Sequence, residues 1–472
     1  MKIDITRDTF EQHKHFSRVL MQQGRVQIDA DHNEQVAIFL HYMRTLAADL
    51  IGPHGGPRDK SGFNIALPGN GQGGPAISAG RYYVDGILCE NDEDVSYEQQ
   101  PNYPLLQDEP TAPDRPCVVY LDVWERDKTA VEDPDIREKA LGESDTATRT
   151  EVVWQVKTTP KMPDGSDIPG DIRKEDVECD WESEWVTQWQ ARNRGMLIAK
   201  AGGGPEGDAN PCAVPPEARY RGPENQLYRV EIHRPGVATQ REGGSDTMAQ
   251  EGSTARQQAP SPTFKWARDN GSDTFPIREV DGETVTLEHL GRDGRPSLNI
   301  GDWVEVVDDG YVLRQRAEPL LRVEEIDVTR MRVVLSRPPS PEVGRYPQKH
   351  PLLRRWDHIL GDLTEGELNQ AGGAVPLREG TWLNLEYGIQ IYFQPAEGGA
   401  PHDYRTGDYW LIPARAATGD VEWPKQGEVP EARPPHGVEH HFAPLALIPS
   451  EGDANDWRCA FEPSCDPCPP GD

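Results

Sequence analysis

Residues 17–52 read SRVLMQQGRVQIDADHNEQVAIFLHYMRTLAADLIG, and no other stretch of the 472-residue chain is as long and as strongly periodic. It predicts one helix behind a strand-like lead-in. Asp31 has the side chain of an N-cap, and Glu34 three residues on completes a capping box that would satisfy two of the open N–H groups at the helix start. Behind that cap Val36, Leu40, Met43, Ala47 and Leu50 fall at steps of four and three, which puts them on one face, and Gly52-Pro53 supplies the stop. Phe39 and Leu46 widen the stripe. Over about five turns, a stripe of that width must bury against something larger than a hairpin, either the chain's own β domains or a copy of itself. Full burial of an apolar side chain stabilises by about 1.5–3 kcal/mol, so a helix left in solvent would forgo on the order of 10 kcal/mol. We read Asp31 to Ile51 as an assembly helix, with Val36, Phe39, Leu40, Met43, Leu46 and Leu50 as its interface.

At 472 residues the chain is too long for a single core. Gly (45) and Pro (43) are abundant and only 35% of residues are hydrophobic, so short strands joined by turns are favoured over long helices elsewhere. The expected class is mainly β and multidomain, built of small β-sandwich or barrel modules with one N-terminal amphipathic helix. The expected blocks are 1–56 (strand and helix), 57–274 (a β domain), 275–345 (a barrel-like module), 346–449 (a C-terminal β domain) and a Pro/Asp/Cys-containing tail, 450–472. Lys and Arg number 49 against 80 Asp and Glu, a net charge of −31, which repels nucleic acid and anionic membranes; neither is an expected partner. The opening MKIDITRD has no apolar run of a secretory signal, and no stretch of about 18 apolar residues occurs, so no membrane span is expected. Synthesis as a soluble cytoplasmic protein is the expectation.

After the helix, ISAGRYYVDGILCEN reads as two short strands around Asp85-Gly86, a hairpin signal. Cys117–Glu125 (CVVYLDVWE) and Thr150–Thr158 (TEVVWQVKT) are buried strands. QLYRVEIH, residues 226–233, is the cleanest alternating strand, with Leu227, Val230 and Ile232 marking its apolar positions. Residues 237–262 carry almost nothing apolar and read as a mobile insertion between two paired strands, the second resuming at Thr263. ETVTLEHL, GDWVEVV, LLRVEEID and MRVVLS then recur at short intervals, as in a small barrel or sandwich.

Chemical motifs are sparse. Glu125, Glu132, Asp133 and Asp135 offer the paired carboxylates a glycosidase needs, but lie in a polar connection where acids cap turns and pair with Arg137 and Arg149. Trp181, Trp185 and Trp189, four apart, would form an aromatic ridge on a helix, read first as packing and second as a sugar platform. Cys459-x5-Cys465-x2-Cys468 follows His436, His440 and His441, donors that zinc takes, in a spacing that fits no finger. The rings of His440 and His441 should point oppositely, one inward and one to solvent. Phosphate loops, nucleophile elbows and HExxH are not found. The assignment is therefore no catalytic residue, no metal and no cofactor.

The strings SRVLMQQGRVQIDADHNEQ, YVDG, YLDVWER, EDPDIREKALGESDTATRTEVVWQVK, ENQLYRVEIH, FKWARDNGS, GDWVEVVDD, YRTGDYWLIPARAATGDVEWP and HGVEHHFAPLALI, in this order from about residue 2 to residue 449, resemble an uncharacterised family. Its members are encoded in gene clusters of phage-tail-like contractile injection systems. Members usually have an aromatic residue after DAD where this chain has His32, and the insertion at 237–262 is particular to it. The resemblance implies a place of work, the baseplate or fibres of a tail-like particle. It implies no activity. Two functions compete on this basis: a non-enzymatic structural subunit that partners copies of itself and other particle subunits, or a carbohydrate-binding or carbohydrate-active protein displayed or delivered by the particle, with a cell-surface glycan as partner.

Overall fold

The structure is a computed structural model that describes residues 2–68, 73–106, 109–161, 166–169, 193–202, 219–238, 261–291, 297–358, 371–396, 398 and 401–462. The chain is mainly β and multidomain, and the one long helix among the described residues, α1, spans Asp29–Ile51. It divides into two compact units, each assembled from separated pieces. One comprises Met1–Arg7, Asp127–Arg149 and Asn193–Val438, the other Asp8–Arg126, Thr150–Arg192 and Glu439–Asp472. The sequence blocks 57–274 and 346–449 thus each contribute to both units, because strand pairing reaches across hundreds of residues that local patterns cannot connect.

In the unit that holds α1, His441–Ile448 returns to pair antiparallel with Cys117–Lys128, next to Arg149–Thr159 in the same sheet. A second sheet orders Ala460–Phe461, His54–Pro57, Gly80–Val84 and Ile87–Asn91. Tyr82, Val84 and Cys89 from one sheet and Val119, Leu121, Val156 and Leu445 from the other share one core. The Asp85-Gly86 hairpin forms as the sequence indicates, with φ of +49° and +76°, the positive pair a tight two-residue turn requires.

The start of α1 differs from expectation. The helix begins two residues before Asp31, its N-cap is Ile28 in extended conformation, and no side chain caps it. Asp29 and Asp31 instead sit in the first turn, where they favourably face the helix dipole, and Glu34 accepts from Thr9 Oγ1 at 2.6 Å rather than closing a capping box. Gly52 ends the helix as read, at φ +93° with its N–H donating to Ala48 O at 2.8 Å. The lead-in before α1, expected to be strand-like, turns at Gln23-Gly24, where the Arg25 N–H donates to Gln22 O at 3.3 Å, and forms no strand among the described residues.

In the other unit a five-stranded antiparallel sheet orders Val375–Pro376, Thr263–Ala267, Gln226–Arg234, Tyr409–Arg415 and Asp420–Val421. The strands flanking the insertion are neighbours, with Arg234 opposite Thr263; residues 239–260 themselves lie outside the described residues. Beside this sheet Thr274–Asp281, Thr284–Leu287, Arg332–Leu335, Leu321–Asp327, Trp303–Val307 and Leu352–Trp356 close into a six-stranded barrel around Phe275, Val285, Val304, Val323 and Leu353. Its closing strand comes after the Pro-rich stretch 337–351 and past the expected module edge at 345.

Candidate functional site

The intramolecular contacts of α1 run along one side. Ala30 and Ile38 are buried, each about 1% exposed, and Ala37, His41, Arg44 and Ala48 on the same side are half-buried. Arg44 grips Glu125 with both guanidinium nitrogens, at 2.6 and 3.1 Å. The helix backbone passes so close to the hairpin that a Cβ on Gly86 would meet the Arg44 carbonyl oxygen at 2.1 Å, so only glycine fits the turn beneath it. Gln35 accepts from the Val19 N–H at 2.8 Å and so ties the lead-in to the helix.

The six residues read as an interface lie on the opposite side, exposed among the described residues. Their exposure runs from 44% at Val36 to 76% at Leu50, with Phe39, Leu40, Met43 and Leu46 between. In the lead-in Phe16, Leu20, Met21, Val26 and Ile28 are exposed as well. Monomeric proteins rarely expose apolar patches beyond a few hundred Å², and larger ones mark interaction sites.

A second cluster, unforeseen in the sequence, lies in the interior of the sheet-and-barrel unit. The strand Gln226–Arg234 buries both faces: Tyr228, Val230 and Ile232 enter the apolar core, while Arg229, Glu231 and His233 face a network of charges. Glu231 receives Lys2 Nζ at 2.9 Å, Arg229 Nε at 2.5 Å and Lys265 Nζ at 3.4 Å. Lys265, opposite Glu231 in the neighbouring strand, also reaches both oxygens of Glu305 in the barrel at 2.8 and 2.7 Å. Tyr311 and Trp356 donate to the same carboxylate at 2.8 and 3.0 Å, and Arg229 stacks 3.7 Å over Tyr409. Burial alone would raise the pKa of Glu305, but Lys265 foremost holds it down to about 2. Burial depresses His233 to about 3 and His358 to about 4, so both are neutral at physiological pH. Desolvated charges so fully paired hold sheet and barrel strands in register. Strand alternation carried the signal: Arg229, Glu231 and His233 share one face. Its meaning depended on Lys265 and Glu305, which only the fold brings there.

The remaining sequence candidates disperse. Glu125 pairs with Arg44, not with Arg137 or Arg149. Glu132 accepts from the Thr129 N–H, Asp133 caps a turn by accepting from the Asp135 N–H, and exposed Asp135 lies 3.9 Å from Lys139, so these acids do serve turns but with other partners than expected. His440 and His441 do point apart, yet neither is a core or a solvent residue: His440 Nδ1 lies 2.6 Å from Asp122 and His441 Nδ1 2.8 Å from Asp85. Burial raises the Asp122 pKa, but the hydrogen bond and charge of His440, with Lys157, outweigh it and lower the value overall. Trp181, Trp185, Trp189, Cys465 and Cys468 lie outside the described residues. Among the described residues no group of three or more His, Cys, Asp or Glu is arranged to hold a metal ion. Among them, too, no helix is long and apolar enough to cross a membrane.

The chain belongs to a family of unknown function (DUF6519), whose profile matches residues 1–166 and 170–468. Neither a curated protein nor a solved structure matches it.

Proposed function

We propose that the chain is a non-enzymatic structural subunit of a phage-tail-like contractile injection particle, associated with its baseplate or fibres and joined to neighbouring subunits through α1. The observation that carries the reading is the uncovered face of Val36, Phe39, Leu40, Met43, Leu46 and Leu50 on a helix that its own chain fixes from the other side. Six apolar side chains held rigidly in water are costly to a monomer and useful to an assembly. The resemblance of the quoted strings to proteins of contractile-particle gene clusters supplies the kind of assembly. On this reading the subunit is made in the cytoplasm and built into the particle there.

The test is co-purification. In cells that make such particles, epitope-tagged chain is expected to sediment with them and to stay bound through a density gradient. Tagged chain that remains wholly at the top of the gradient, or that binds glycans on an array while never joining particles, overturns the structural reading.

A further inference from the structure

We infer that α1 docks on α1 of a second copy of this chain, through a seam in which Val36, Met43 and Leu50 form one heptad row and Phe39 and Leu46 the other. The inference rests on the assembly role proposed above and names its partner. The spacing is the first reason. Positions 36, 43 and 50 lie seven apart, as do 39 and 46, and the two rows are offset by three, the a/d arrangement by which like helices insert knobs into each other's holes. The second reason is that the fold itself separates this seam from the rest of the helix. Buried Ala30 and Ile38, and half-buried Ala37, Arg44 and Ile51, fall at positions b and c of the same heptad, whereas every a and d position from 36 to 50 is exposed.

Charge selects the occupant. Each copy carries a net −31, so two copies repel over most of their surfaces. Flanking the seam are Asn33, Gln35, Leu40, Tyr42, Ala47 and Asp49, of which only Asp49 is charged. A face stripped of the chain's dominant charge offers nothing to steer an oppositely charged partner and lets a like-charged copy approach. Area agrees. Two heptads fall short of the roughly three to four that sustain a coiled coil alone. The exposed lead-in residues Phe16, Leu20, Met21, Val26 and Ile28, next to the helix in sequence, offer further apolar surface toward the roughly 800 Å² per partner of a standard interface.

Sedimentation equilibrium of the full chain in the micromolar range tests this. A mass that is a multiple of 52.7 kDa is expected, falling to 52.7 kDa for Met43→Glu with an unchanged far-ultraviolet spectrum. Met43 is the midpoint of the seam from 36 to 50, so it faces its own copy whether the helices run parallel or antiparallel. Met43→Cys is therefore expected to give a cross-linked dimer on oxidation that wild-type protein does not give. A wild-type mass of 52.7 kDa throughout, with no cross-link from Met43→Cys, overturns the inference even if the chain still joins particles, in which case α1 meets a different subunit. An oligomer that Met43→Glu dissociates upholds it even if the chain is absent from particles.

Discussion

Helix α1 and the strand Gln226–Arg234 are the two clearest periodic segments of the chain, and the fold treats them in opposite ways. The strand has a polar face, Arg229, Glu231 and His233, that would ordinarily meet water and is instead buried. The helix has an apolar face that would ordinarily be buried and instead meets water. Periodicity assigns residues to a face. What covers that face is decided by partners distant in sequence or, on the function proposed for the helix, by another chain. In the strand those partners are on the same chain, Lys265, Glu305 and Lys2, and every charge is answered. Substitutions in the two regions should therefore be felt in different measurements.

The largest effect on stability belongs to the interior cluster. Lys265→Met leaves Glu231 and Glu305 short of a buried cation and is expected to cost about 3–5 kcal/mol, as a fall in the urea midpoint of the sheet-and-barrel unit. A midpoint within experimental error of wild type would mean that this face is as tolerant as a solvated one, and the contrast with α1 would dissolve.

Acid is the next probe. His233 and His358 titrate at about 3 and 4 in the fold and near 6.5 when unfolded, so below pH 6.5 the unfolded chain binds more protons and stability falls with pH. From pH 7 to 5 each histidine contributes a loss of about 2 kcal/mol. Asp269, whose pKa burial raises to about 6, takes up a proton in the fold over the same range and offsets part of it. His233→Gln should make the decline between pH 7 and 5 visibly shallower. Equal slopes in variant and wild type would contradict a buried neutral imidazole at this position.

Smaller effects are expected on the helix side. Arg44→Ala removes an ion pair that is about one-third exposed at both ends and should cost no more than about 1 kcal/mol in thermal melting. Met43→Gln and Leu46→Gln, on the uncovered face, should each change the stability of the isolated chain by no more than about 0.5 kcal/mol. A cost of several kcal/mol for either would show that the chain itself covers the face.

The β class, the Asp85-Gly86 hairpin, the pairing of strands across the insertion and the helix stop at Gly52 were legible in the sequence because each depends on local patterns or on neighbours in the strand order. The helix start was misread because Asp31 and Glu34 fit a capping box while Thr9, twenty-five residues away from Glu34, competes for its carboxylate. The closing barrel strand was missed because a Pro-rich stretch separates it from the other five, and the discontinuous units because His441–Ile448 pairs with a strand more than three hundred residues earlier. The helical period did place Val36, Phe39, Leu40, Met43, Leu46 and Leu50 together on one side, and that side is exposed. The ion cluster was not read at all, since Glu231 has no visible partner until Lys265 lies opposite it and the barrel brings up Glu305.

The central claim is that the uncovered face of α1 joins this chain to a particle, and its most direct test is the occupancy of Leu40→Glu/Met43→Glu chain on purified particles. The expected result is near-complete loss of the variant from particles while its far-ultraviolet spectrum and melting temperature match wild type. Undiminished occupancy, or a variant that unfolds as an isolated chain, would contradict it.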